Sequence, residues 1–235
     1  MKKLFSLFAA LLIGGAVCLA EDVELTSGDV HFFKDPANYA ILEIDWSKTH
    51  VVEFGANNKV KNDLGSIDEF NRSQGEDWVR DWPAVQASVL LSNTMKKFFF
   101  NKANKKGMHI VAPQQVWDAY NNGTLVGKNR TSTEKNYYLI DPATAQYKIV
   151  VHIDLVDMGN TGASIVFGGG LASKAGGAKI MGYIDCIDLR TNKSAAQFVI
   201  NDTRGEGGWT QAIRLGNVIA QCLGVEVMKI IKKTK

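Results

Sequence analysis

The sequence has little cysteine, no second long hydrophobic run and no large excess of charge of one sign. Beyond the N-terminus no stretch reaches the roughly 18 apolar residues of a membrane-spanning helix, so we expect no such helix in the mature chain. The 27 basic and 24 acidic residues nearly balance, which argues against a nucleic-acid-binding surface. The P-loop signature G-x-x-x-x-G-K-[ST] is missing, which argues against a nucleoside-triphosphate site.

An export signal is present at the N-terminus, MKKLFSLFAALLIGGAVCLA. Two lysines precede an apolar stretch, residues 4–17, which is too short to span a bilayer. Cys18 and Ala20 supply the small residues that precede a signal-peptidase cleavage site. We therefore expect a signal peptide over residues 1–20, cleaved after Ala20, followed by a single exported domain over residues 21–235.

Cys18 allows one alternative, the lipidated cysteine of a lipoprotein. Val17 is bulky where a small residue usually precedes that cysteine, and Gly15 stands where leucine is usual, so cleavage after Ala20 is the expectation. The mature domain is then periplasmic or extracellular. Membrane association by means other than a transmembrane helix stays open.

Apolar periodicity predicts an α+β fold, because strand patterns and helix patterns alternate along the chain. We expect a single mixed β-sheet with about two main helices packed on it. The predicted strands are residues 39–47, 108–113, 146–158 and an antiparallel hairpin near 178–202 that turns at 191–193. The predicted main helices are residues 81–107 and 210–224, with a helical turn over 113–122. Residues 48–80 are predicted to be an irregular excursion with a short helix near Ile67 to Asn71, and residues 225–231 a closing strand or a helix continuation.

The glycine-rich segment 159–182 has three interpretations. A nucleotide cradle is disfavoured, because Gly168, Gly169 and Gly170 lead into a sequence that lacks the G-x-G-x-x-G spacing and a following helix. Two apolar strands inserted into a multi-chain membrane barrel are a second interpretation, but the aromatic girdles are missing. We expect a flexible connection between strands, since glycine has wide conformational freedom.

Catalytic and metal sites are not expected, and the chain is predicted not to be an enzyme. Asp154 with Asp157, and Asp185 with Asp188, have a spacing that sends each pair to opposite faces of a strand. The histidines, at positions 31, 50, 109 and 152, are scattered, and no serine or cysteine motif nominates a nucleophile beside them. We expect no cofactor and no bound metal.

Five residues are candidates for contact with a partner or ligand: Gly168, Gly169, Gly170, Trp209 and Arg214. The glycines belong to the flexible segment, and the other two lie where a glycine-rich turn enters the last predicted helix. We interpret Arg214 as a residue that binds an anion or contacts a partner. The alternative is that it forms a surface salt bridge.

Two cysteines remain after the predicted cleavage, Cys186 and Cys222. An even number of cysteines in an oxidising compartment permits a disulfide. The alternative is a pair of buried thiols that behave as small apolar side chains.

Three runs resemble a known group of proteins: YKIVVHIDLVDMGN (147–160), GYIDCIDLRTNKSAAQFVI (182–200) and RLGNVIAQCLG (214–224). With the glycine-rich break, they resemble uncharacterised secreted proteins of Bacteroides-type bacteria. They are more distantly similar to exported α+β domains related to the curli-secretion lipoprotein and the TolB N-terminal domain. The resemblance covers about residues 36–231, but the lipobox is poor and residues 48–80 lie outside the shared pattern.

The resemblance implies an envelope-associated domain without catalytic residues that binds or assembles with proteins. Our first functional hypothesis is therefore a non-catalytic exported envelope domain that engages envelope proteins or itself. One alternative is an exported hydrolase or small-ligand-binding protein that uses the glycine-rich loop with Arg214 and Asp185. A second alternative is a subunit of a membrane-inserted β-barrel assembly.

Overall fold

The computed structural model describes residues 23–54, 60–73, 75, 76, 79, 107–124, 136–157, 179–204, 219 and 221–234. Within these ranges the chain has an α+β fold in which eight strands form one mixed sheet accompanied by short helices. The predicted fold class is therefore confirmed. Among the described residues no helix is long and apolar enough to cross a membrane.

The strands are β1 Val23–Gly28, β2 Tyr39–Asp45, β3 His50–Phe54, β4 Val60–Ser66, β5 His109–Val111, β6 Tyr147–Asp157, β7 Lys179–Asp188 and β8 Lys193–Arg204. The helices are α1 Ile67–Ser73, α2 Gln114–Asn121, α3 Asn136–Leu139 and α4 Met228–Lys233. A π-helix, Cys222–Val227, leads directly into α4, and short 3-10 turns occupy His31–Lys34 and Pro142–Thr144.

The sheet runs in the order β1-β8-β7-β6-β2-β5, and β3 and β4 branch from β6. The pairings β1–β8, β8–β7, β7–β6 and β3–β4 are antiparallel, whereas β2 and β3 run parallel to β6 and β5 runs parallel to β2. Strand β6 is thus the centre of the sheet, because it pairs with β7 on one side and with both β2 and β3 on the other.

The β7–β8 hairpin was predicted from local sequence, and the structure confirms it with Asp188 opposite Lys193. Asn192 adopts a left-handed backbone with φ of 54°, which asparagine tolerates better than most residues. Asp188 accepts hydrogen bonds from the backbone N–H and the guanidinium of Arg190, so the turn is fixed by its own side chains.

The main core lies against one face of the sheet. In β6 and β7 alternate residues such as Ile149, Val151, Ile153 and Ile184 are at most 1% exposed. The π-helix and α4 cover this face with the buried side chains of Cys222, Leu223, Val227, Met228 and Ile231. Because burial of apolar area contributes about 25 cal/mol per Å², this large cluster stabilises the described part of the chain.

A second, small core belongs to β3, β4 and α1. Val51, Ile67 and Phe70 are buried together, with Leu64 packed against them, in a cluster separate from the main core. We refer to β3, β4 and α1 as the side unit. Helix α1 begins with a reciprocal cap, because Glu69 accepts from the backbone N–H of Ser66 while the Ser66 hydroxyl accepts from the N–H of Glu69.

Three sequence-based expectations need correction. Residues 48–80 are not an irregular excursion, because β3 and β4 form a paired hairpin there, although the short helix expected near Ile67 is confirmed as α1. The predicted end of the last helix at Gly224 is wrong, and of the two alternatives for residues 225–231 the helix continuation is confirmed, because buried residues continue through Val227 and Ile231 and the helix ends at Lys233. Residues 210–218 and 220 of that predicted helix lie outside the described residues. Strand β1 was not foreseen. The predicted helix over residues 81–107 lies outside the described residues, apart from its final Gly107.

Candidate functional site

The candidate site is a break in the pairing between β6 and its parallel neighbours. The β2–β6 register ends with Asp45 opposite His152, and the β3–β6 register begins with His50 opposite Leu155. Residues 46–49 form the connection, closed by a hydrogen bond from the Thr49 N–H to the Trp46 carbonyl (3.1 Å). Two residues of β6 therefore have no strand partner on this side among the described residues.

A β-bulge in β6 faces that break. The β6–β7 register shifts between Ile153 and Leu155, and Gly182 lies opposite Ile153. A Cβ atom at Gly182 would lie 2.1 Å from the carbonyl oxygen of His152, so only glycine permits this close approach. The hydroxyl of Thr49, itself 2% exposed, donates to the Ile153 carbonyl at 2.7 Å and satisfies the acceptor that the missing strand leaves. Asp154 is the extra residue of this bulge, because it has no opposite residue in the β6–β7 register.

His152 is held on two sides. Its Nδ1 donates to Asp45 Oδ2 at 2.8 Å, and its ring stacks on Tyr183 of β7 with centroids 4.3 Å apart and an interplanar angle of 16°. The other oxygen of Asp45 accepts the backbone N–H of Ser47 at 2.9 Å. These contacts fix the orientation of the imidazole in a row that runs across three strands.

The two carboxyl groups beside His152 are shifted in opposite directions. Hydrogen bonds from Ser47, with a smaller contribution from His152, hold the pKa of Asp45 below its usual range. Burial raises the pKa of Asp154, although His152 and Lys48 oppose this effect. Burial also raises the pKa of the Tyr183 hydroxyl, and the nearby Asp154, Asp185 and Asp45 add to the shift.

The arrangement therefore offers an ionised carboxylate, a carboxyl group that protonates more readily, an oriented imidazole and a phenol. Such a divergence between two carboxyls is a feature of acid–base sites. Hydrolysis by a nucleophile would also need a hydroxyl or thiol bound to the imidazole. In the described part of the chain, Asp45 is the hydrogen-bond partner of His152, and no serine, threonine or cysteine takes that place.

The acidic residues singled out in the sequence do not gather in one place. Asp185 lies opposite Val150 rather than Asp154, and it accepts the hydroxyl of Ser194 at 2.5 Å. Asp157 is opposite Lys179, and both side chains are buried. Within the described ranges no three histidine, cysteine or acidic side chains are grouped so that they could hold a metal ion.

The two cysteines expected as a disulfide or as buried thiols are not bonded to each other, and both are fully buried. Cys186 faces the main core from β7, and Cys222 faces it from the π-helix. Burial raises the pKa of the Cys186 thiol, which lowers its reactivity. The predicted contact residues Gly168, Gly169, Gly170, Trp209 and Arg214 all lie outside the described residues.

The histidines are scattered along the sequence, and the link between His152 and Asp45 was not foreseen. The sequence contained part of the information needed to predict this link. Alternation in β6 places His152 and Asp154 on the same face, and alternation in β2 does the same for Glu43 and Asp45. What was missing was the parallel register between two segments about 100 residues apart.

Comparison with known proteins yields no family model and no curated protein that matches this chain. Among solved structures it is similar to the PelC dodecamer from Paraburkholderia phytofirmans, with 11% identity over 86% of this chain and 96% of that chain and a TM-score of 0.34. A variant of the same dodecamer with a single substitution, solved in a second crystal form, gives the same identity and coverage and a TM-score of 0.32. Similarity at this level supports no functional conclusion.

Proposed function

We propose that this chain is an exported, non-catalytic domain of the cell envelope that assembles with itself or with other envelope proteins. The predicted signal peptide supports the location. The observation on which the assembly depends is the outer edge of β1, which begins three residues after the predicted cleavage site.

Strand β1 pairs with β8 on one side, and no described strand pairs with its other side. Glu24, Thr26, Ser27 and Gly28 are exposed along it. An edge strand offers unpaired backbone N–H and C=O groups to an added strand from another chain. The register shift between Leu25 and Ser27 interrupts the regularity of the edge, so we expect pairing in one defined register rather than unspecific growth.

The histidine contacts are consistent with a non-catalytic role. His31 bonds Asp29, His50 bonds Asp63 and His152 bonds Asp45. The pairs His50–Asp63 and His152–Asp45 connect neighbouring strands, so a structural role accounts for them without a substrate.

The test is the oligomeric state of the mature chain, residues 21–235, by size-exclusion chromatography with light scattering. We expect a concentration-dependent oligomer at micromolar concentrations. Ser27→Lys places a charge on the edge without removing a described contact and should shift the population to monomer. Asn121→Lys adds the same charge at the exposed end of α2 and should leave the oligomer unchanged.

A wild-type chain that stays monomeric and retains no envelope protein would contradict this proposal. So would an oligomer that Ser27→Lys and Asn121→Lys disturb equally, because the edge would then have no special part in it.

A second candidate function is an exported hydrolase or small-ligand-binding protein, and the opposite pKa shifts of Asp45 and Asp154 favour it. Thermal-shift screening of the mature chain against sugars, nucleotides and metals tests this function. A ligand-specific rise in Tm that Asp154→Asn abolishes, and that the exposed-site control Asp68→Asn retains, would replace the first proposal with this one.

A further inference from the structure

Lysines from distant parts of the sequence lie together at one end of the molecule. Helix α4 packs against the 3-10 turn His31–Lys34. The Lys34 ammonium donates to the Thr234 carbonyl at 2.5 Å, although the two residues are 200 positions apart in the sequence. The two residues before Thr234, Lys232 and Lys233, are exposed at the end of α4. We refer to Lys34, Lys232 and Lys233 as the basic patch.

A second lysine-rich segment leads into the same end of the molecule. Gly107 lies so close to the 3-10 turn that a Cβ atom on it would be 2.3 Å from the Phe33 carbonyl oxygen and 2.6 Å from the Lys34 Cα. The two residues before Gly107 in the sequence, 105 and 106, are both lysine. The contact between Gly107 and Lys34 therefore connects this segment to the end that carries the basic patch.

In the described part of the chain, no carboxylate neutralises Lys34 or Lys232. The ammonium of Lys34 donates to a carbonyl, and no ion pair with a described residue involves either lysine. Lys229, on the same helix, is instead paired with Glu226 at 2.9 Å and is not counted in the patch. Asp35, which follows Lys34 in the sequence, is a single opposing charge. The patch therefore keeps an excess of positive charge.

We propose that the basic patch binds the mature chain to an anionic membrane surface, with the phosphate groups of acidic lipids as its ligands. This inference is independent of the proposed assembly, because the two surfaces lie at opposite ends of the sheet. Strand β1 is the first strand in the order of the sheet, and Gly107, which contacts Lys34, directly precedes the last strand, β5. One chain can therefore use both surfaces at the same time.

The composition of the patch favours a lipid surface over a protein partner. Protein interfaces are enriched in aromatic residues and arginine and depleted in lysine. Lysine interacts with phosphate as a point charge on a flexible stem, so it needs no fixed geometry in its ligand. Lysine clusters on an amphipathic helix are typical of binding to anionic membranes, and α4 is amphipathic, with Met228 and Ile231 buried. Because the main core already covers these apolar residues, the binding is electrostatic rather than by insertion.

The net charge of the mature chain would not by itself produce this binding. The predicted cleavage removes Lys2 and Lys3, so basic and acidic residues nearly balance in the remaining sequence. A local patch is still attracted, because each lysine near an anionic membrane raises the partition coefficient about fivefold. Three lysines therefore predict a preference of about 100-fold for acidic over neutral lipid. The attraction falls off within a Debye length of about 10 Å at 0.1 M salt.

The experiment is co-sedimentation of the mature chain, residues 21–235, with lipid vesicles. One set of vesicles contains phosphatidylcholine alone, and the other is an equal mixture of phosphatidylcholine and phosphatidylglycerol. At about 0.05 M salt we expect the partition coefficient to be at least about tenfold higher for the acidic vesicles. At about 1 M salt, where the Debye length is about 3 Å, we expect this preference to disappear.

The double variant Lys232→Glu/Lys233→Glu reverses two charges of the patch and should lower the partition coefficient for acidic vesicles by at least about 25-fold. Lys48→Glu/Lys193→Glu makes the same change in net charge at exposed positions outside the patch and should retain the binding. Lys232→Glu alone removes no ion pair with a described residue, should weaken binding at least about fivefold, and serves if the double variant is destabilised.

Three results would overturn the proposal. The first is equal sedimentation, or none, with the two kinds of vesicle at low salt. The second is binding to acidic vesicles that both double variants weaken equally. The third is self-association without vesicles that Lys232→Glu/Lys233→Glu abolishes, in a chain that does not sediment with acidic vesicles, because the patch would then bind protein.

Discussion

The main sheet and the side unit are built from the same kinds of strands but differ in how much apolar surface stabilises them. Residues such as Leu42, Ile149 and Phe198 are completely buried in the main core, and the π-helix and α4 cover them. The side unit buries a cluster of three residues with Leu64 against it, and Thr49 at its root donates to the Ile153 carbonyl. Among the described residues, the main sheet is therefore stabilised by a much larger apolar core than the side unit.

The largest expected effect comes from truncation in the main core. Phe198→Ala removes a fully buried aromatic ring and should destabilise the whole domain by about 3–5 kcal/mol. Urea unfolding followed by circular dichroism measures this change. A loss below about 1 kcal/mol would mean that the main sheet is not the stabilising centre.

The next effect concerns the bulge. Gly182→Ala places a methyl group against the His152 carbonyl, so β6 and β7 must separate locally, at a cost of about 1–3 kcal/mol. Urea unfolding measures the change in the free energy of unfolding. NMR chemical shifts of His152 and Tyr183 report whether the stacking of the two rings is lost. Unchanged stability together with unchanged shifts would show that the close approach is not needed.

The comparison is sharpened by Phe70→Ala, which truncates the core of the side unit. We expect amide exchange to accelerate in β3, β4 and α1, while β7 and β8 keep their protection, because the two cores are separate. Equal acceleration throughout the sheet would show that the side unit unfolds only with the whole domain.

The smallest effect is a pH-dependent gain from Asp154→Asn. The pKa of Asp154 is raised in the fold, so its ionised form opposes folding, and its removal should stabilise the protein at neutral pH by less than about 1 kcal/mol. The gain should shrink as pH falls and the carboxyl becomes protonated. Thermal melts of the wild type, Asp154→Asn and Asp68→Asn as a function of pH measure it, and a neutral or negative shift in Tm at pH 7 would contradict the assignment.

The elements that local sequence determines were predictable. The β7–β8 hairpin has alternating apolar strands around a turn at residues 191–193, and β6 is a long alternating run, so neither depends on distant contacts for recognition. The α+β class followed from the order of these elements.

The elements that depend on partners were not predictable. Strand β4, VKNDLGS, is polar, and it forms a strand because β3 lies beside it. Strand β1, VELTSG, is short and is completed by β8, about 170 residues away. The site was missed for the same reason, since Asp45 meets His152 only through the parallel β2–β6 register.

The most direct test of the proposed assembly is native mass spectrometry of the mature chain recovered from the envelope of producing cells. We predict complexes with two or more protein chains for the wild type and for Asn121→Lys, and single chains for Ser27→Lys. A wild-type spectrum that contains only the single chain of residues 21–235 would contradict the proposed assembly.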